Sequence, residues 1–128
     1  MNNGSFDPWQ ERFASFDDLR HLVDGEGGLL RVSMYELRRA HGAGKLGVRV
    51  REEIVQQLAG VGLGFFPGPD LPTYQEHDVR VYRRGTPVGD LVDAVLWPSV
   101  TGDQLLLESR SDEAATILKQ VRALVCED

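Results

Sequence analysis

The sequence predicts an α+β chain in the order helix-strand-helix-helix-strand-strand, followed by a C-terminal helix-strand-helix extension. Three observations carry this. Leu46, Val50, Ile54 and Leu58 repeat every four residues, as one face of a helix requires. The run from Asp78 to Arg84 alternates between apolar and polar residues, as a half-buried strand does. Helix-start signals stand at Ser15, Ser33, Thr86 and Ser111, separated by glycine or proline stops. The chain has 128 residues, 41% of them hydrophobic, enough to build one core. Residues 1–14 are expected to form a loose N-terminal arm docking through Trp9 and Phe13, and residues 15–125 a single domain.

Taken in order, Ser15 with Asp18 three residues on opens a first helix whose apolar face is Phe16, Leu19, Leu22 and Val23. The glycine-rich turn Asp24 to Gly28 ends it, and Leu29 to Val32 is a short strand. Ser33-Met34-Tyr35-Glu36 is a capping box, in which the serine oxygen accepts from the Glu36 N–H and the glutamate reaches back to the serine N–H. The helix it starts runs to His41, with Met34, Leu37 and Ala40 or His41 on one side and Arg38 and Arg39 outward. Gly42 is placed to close it in a left-handed conformation that costs glycine little. Val48 to Gly60 is the second helix of the pair. Leu63 to Phe66 is a strand, Pro67 to Pro72 a proline-rich loop, and Asp78 to Arg84 a strand. Thr86-Pro87 starts a helix with apolar Val88, Leu91, Val92, Val95 and Leu96, and Trp97-Pro98 stops it. Gln104 to Glu108 is expected as a strand. A last amphipathic helix follows, with Ala114, Ile117, Leu118, Val121, Leu124 and Val125 on one face.

Net charge is −6, unevenly spread. Between Arg31 and Arg51 six basic residues face one acid, giving +5, and the remainder carries eight bases and nineteen acids, giving −11. Such an island can steer an anionic partner toward one face. Cys126 is the lone cysteine, so no internal disulfide forms, and a cytoplasmic location is expected, with no membrane-spanning segment.

The element order from Ser15 to Gly85 resembles the winged helix-turn-helix superfamily, with Ser33 to His41 and Val48 to Gly60 as the helix-turn-helix pair. The resemblance implies a small regulatory protein, of the kind used in bacterial transcription regulation, whose second helix enters the major groove. It implies groove contacts by Arg49, Arg51, Gln56 and Gln57 and phosphate contacts by Arg38, Arg39 and Lys45. Against phosphate contact stand Asp70, Glu76 and Asp78 in the loop, and Glu52 and Glu53 on the second helix. The alternative is a protein–protein adaptor or homodimeric module of the same fold, with Trp97, Leu118, Val121 and Leu124 at its interface.

Catalysis is not expected. Gly42-Ala43-Gly44-Lys45 lacks the upstream glycine and the following Ser or Thr of a phosphate loop, these places being Arg39 and Leu46. His21, His41 and His77 lie too far apart for a local ligand pair, so no metal and no cofactor is expected. The adjacent acids Asp17-Asp18 and Glu52-Glu53 point in different directions on a helix and suit solvated faces.

Overall fold

The protein is described by a computed structural model covering residues 6–108 together with Ile117, Lys119, Gln120 and Arg122. The chain divides into two compact units, Met1–Arg84 and Gly85–Asp128. In the first unit the elements are α1 (Phe16–Gly25), β1 (Leu29–Ser33), α2 (Met34–His41), α3 (Val48–Gly60), β2 (Leu63–Phe66) and β3 (Asp78–Arg83). This order is compatible with a winged-helix-like topology. The second unit holds α4 (Pro87–Leu96) and α5 (Val100–Leu107).

Local chemistry sets the helix ends. Ser15 accepts from the Asp18 N–H at 3.1 Å, and Thr86 caps α4 through the Gly89 N–H at 3.0 Å. Gly42 closes α2 at φ +88°, where its N–H bonds the Arg38 carbonyl. The apolar repeat of α3 turns inward, with Ile54 and Leu58 buried and Val50 partly so.

β3 is the central strand, antiparallel to both neighbours, in the order β1-β3-β2. Leu29 pairs with Tyr82 and Ser33 with Asp78 on one edge, Leu63 with Arg83 and Phe66 with Arg80 on the other. Alternation sends Val79 and Val81 into a core with Phe13, Leu19, Val23, Met34, Leu37, Ile54 and Leu58. On the opposite face Tyr82 is also buried, its ring lying across Gly64. Arg83 reaches back to bond the carbonyls of Val61 and Gly62 at 3.1 and 3.2 Å, and it pairs with Asp24 at 3.3 Å. It therefore ties the end of α1 to the α3–β2 turn.

The segment from Phe6 to Ala14, read from sequence as a loose arm, is tied down at several points. Arg12 forms a two-pronged bridge to Glu36, Nε and Nη2 each 2.9 Å from a carboxylate oxygen, and Nη2 also bonds the Arg31 carbonyl at 2.7 Å. The Glu36 side chain is 0% exposed. The capping box is complete: Ser33 N–H donates to Glu36 at 3.2 Å and the Glu36 N–H to Ser33 Oγ at 3.1 Å. The Ser33 hydroxyl then donates to the Pro8 carbonyl. The hydrogen bond to Glu36, opposed by partial burial, holds the Arg12 guanidinium above its ordinary pKa.

One element differs from expectation. Gln104–Glu108 is not a strand; residues 100–107 form α5. A run of leucines does not distinguish a strand from a buried helix by period alone. Ser99 decides it, its side chain accepting the Gly102 N–H at 2.8 Å as an N-cap. Of the expected last helix, Ile117, Lys119, Gln120 and Arg122 are helical. Leu118, Val121 and Leu124 lie outside the described residues.

Arg12→Ala leaves a buried carboxylate without its cation and is expected to cost about 3 kcal/mol, against about 1 kcal/mol for Ser33→Ala. Urea unfolding measures both, and equal small losses would contradict the central role given to the pair. Gly64→Ala places a methyl 2.5 Å from the Tyr82 ring, itself 1% exposed. A buried ring must shift to admit that methyl, so thermal unfolding is expected to show a loss of about 1–3 kcal/mol.

Candidate interaction surface

The helix-turn-helix pair presents the basic residues, and the structure gives most of them partners. Arg38 is half-buried: Nε bonds Gln75 Oε1 at 3.0 Å and Nη1 donates to the Ala43 carbonyl. Arg39 is exposed and lies 3.5 Å from Glu11. Arg31 pairs with Asp78, which the strand register places nearby, and stacks over Phe6 at 4.3 Å. Arg51 donates to the Leu46 carbonyl at 2.7 Å, closing the turn before α3. Arg49 is 91% exposed, with Glu53 one turn along at 3.7 Å. Lys45 and Gln56 are exposed, and Lys45 forms no ion pair among the described residues. Gln57 meets His41.

His41 joins the two helices. Its Nε2 lies 2.8 Å from Glu53 Oε1 and its Nδ1 2.7 Å from Gln57 Oε1. Glu53 and Gln57 are four residues apart on α3, so one ring at the end of α2 reaches both. Both partner atoms are oxygens that only accept, so a neutral imidazole can donate to one of them and a protonated ring to both.

The loop after β2 does not stand free as a wing at its C-terminal end. The Gln75 carbonyl accepts the Tyr35 N–H at 3.0 Å and the His77 carbonyl the Met34 N–H at 2.8 Å, meeting two donors that a helix start leaves open. Leu71 buries itself in the core, and a depression of about 340 Å³ between loop and α3 is bordered by Arg51, Glu52 and Asp70.

Beside the paired cations lies an aromatic surface. Trp9, 53% exposed, packs edge-on against Tyr35 at 5.2 Å. Arg38 and Arg39 stand 5.4 and 5.9 Å from the Tyr35 ring. The Tyr35 hydroxyl donates to Glu11 at 2.7 Å, and that bond raises its pKa. Tyr74, 62% exposed, sits edge-on to His77 in the loop that caps α2. Trp9 and Glu11 reach Tyr35 only because the arm lies along α2, a long-range contact that no local spacing encodes. In the second unit Trp97 is half-exposed at the end of α4. Among the described residues no helix is long and apolar enough to cross a membrane, and no cluster of three or more His, Cys, Asp or Glu could hold a metal.

If His41 links α2 to α3 as its distances indicate, a double-mutant cycle of His41→Ala with Glu53→Ala should show a coupling of about 0.5–1.5 kcal/mol in urea unfolding. A coupling near zero would mean that solvent replaces the pair. Comparison with protein-family profiles, curated proteins and solved structures found no match for this chain.

Proposed function

We propose that the chain is a non-enzymatic protein-interaction module of winged-helix-like form, which recognises its partner through the surface of Trp9, Tyr35 and Tyr74. The observation that carries this is the pairing of the cations a DNA reader would need. Arg31, Arg39 and Arg49 each stand beside a carboxylate, Asp78, Glu11 and Glu53. Phosphate neutralisation dominates duplex affinity, so a cation already paired contributes little unless its acid is displaced. Exposed aromatics beside arginines are instead the composition of protein-binding hot spots.

Duplex DNA is the second reading. Lys45 precedes α3 and the 91%-exposed Arg49 lies in its first turn, which contains no acid. Arg49, Arg51, Gln56 and Gln57 would then be groove contacts, and Arg38, Arg39 and Lys45 phosphate contacts.

Fluorescence anisotropy with random-sequence duplex at about 50 mM salt separates the two, because electrostatic affinity is greatest there. No saturable binding is expected. Binding that disappears in Arg49→Ala/Arg51→Ala would overturn the interaction reading in favour of DNA. A photocrosslinking residue at Tyr74 is expected to capture a protein from extracts of the source cell, whereas the same residue at Gln56 is not; the reverse pattern would move the interface to α3.

A further inference from the structure

The second unit carries a groove of about 480 Å³ along the seam between α4 and α5. The helices meet at Ala94 and Gly102, where a Cβ on the glycine would lie 3.2 Å from the Ala94 Cα, so the floor is backbone and small side chains. The walls follow from helical spacing. Asp90, Asp93 and Trp97 line one side from α4; Thr101, Leu105 and Glu108 line the other from α5.

Three features specify what would fill it. First, among the exposed apolar side chains of the unit, Trp97, 54% exposed, lines the groove together with Ala94 and Leu105. Second, the groove carboxylates Asp90 and Glu108 are exposed and meet no cation among the described residues. Asp90 has a role in the fold, since it stands in the first turn of α4 where a negative charge is favourable. Glu108 has the opposite placement: it is the C-cap of α5, where the helix dipole disfavours an acid. Third, residues 85–128 contain eight acids and three bases, a net of −5. A second copy would bring the same charge to the groove.

We propose that this groove docks a short amphipathic segment of a partner protein that presents arginine or lysine beside leucine-like side chains. The apolar side chains fill the seam over Ala94 and Leu105. A guanidinium or ammonium is drawn to the carboxylates Asp90 and Glu108, and the Trp97 face, which also attracts cations, lines the same groove. The volume suits a few side chains rather than a whole domain. Resting on the interaction-module reading, this adds a second surface and a partner chemistry to it.

Trp9→Phe leaves Trp97 as the only indole of the two in the chain. In that full-length background, titration with a short peptide of leucine and arginine in helical spacing is expected to blue-shift Trp97 emission saturably. The same peptide with glutamate for arginine is expected to give no shift. Asp90→Lys/Glu108→Lys should weaken the basic peptide by at least about tenfold, and should admit the acidic one. Glu26→Lys/Glu76→Lys makes the same charge change in the first unit and should leave affinity within about twofold. Circular dichroism checks that each variant is folded. Absence of a saturable shift in folded protein would overturn the proposal. So would equal weakening by the two charge pairs, which would mean bulk attraction. A dimer in sedimentation without peptide, dispersed by Trp97→Glu, would overturn it by assigning the groove to a second copy. The duplex titration reports on the parent reading separately: a failed peptide titration without duplex binding removes this site alone, whereas duplex binding through Arg49 removes the parent reading.

Discussion

A carboxylate with no exposed surface must have its charge met within the protein, and Glu36 is met from two directions. Arg12 supplies a two-pronged bridge and Ser33 a backbone N–H. Breaking such a pair costs more than forming it gains, because the remaining charge stays desolvated. Three pieces of the chain are thereby fixed together. Ser33 ends β1 and caps α2, so the strand–helix angle is set at one residue. Its hydroxyl holds the Pro8 carbonyl, and Arg12 holds Arg31. The arm cannot leave without exposing this network, and the orientation of α2 and of all that packs on it follows.

The arm has an electrostatic consequence as well. By lying along α2 it brings Glu11 to Arg39, just as the β1–β3 register brings Asp78 to Arg31. Each of these exposed pairs adds little to stability. Their effect on the field is larger: a cation within 4 Å of an acid acts as a dipole on an approaching anion, and dipolar fields decay well within a screening length of about 8 Å. An excess of +5 counted along residues 31–51 therefore overstates the attraction an anion meets at this face.

Local determinants were legible in the sequence and distant ones were not. Ser15, Ser33, Thr86 and Gly42 act through neighbours three or four residues away, and each does what its spacing required. The same holds for Ile54 and Leu58, whose burial follows the four-residue repeat. The alternation of β3 identified a strand, but its central position depends on pairing with residues some 50 positions earlier and others 14 to 20 earlier. Arg12 and Glu36 are 24 residues apart and carry no periodic signal, so this polar tie of the arm was invisible, whereas docking through the apolar Trp9 and Phe13 was expected. Glu53 and Gln57 stand four residues apart in the sequence, but nothing local marks His41 as their common partner. At residues 104–108 composition suggested a strand, and a serine cap five residues earlier produced a helix instead.

Charge that is paired inside a unit cannot select a partner, whereas unmatched charge can. Met1–Arg84 holds twelve acids and eleven bases, close to balance, and its bases are largely bonded within the unit. Gly85–Asp128 holds eight acids and three bases. Most of the net charge of the chain thus belongs to the segment that also exposes Val95, Trp97, Val100 and Leu107. A polyanion gains nothing from that combination and a basic amphipathic segment gains twice, from apolar burial and from Coulomb attraction in a partly desolvated groove. Selectivity then comes from the sign of the charge and anchoring from the indole. A basic segment lacking apolar residues would be attracted without being held.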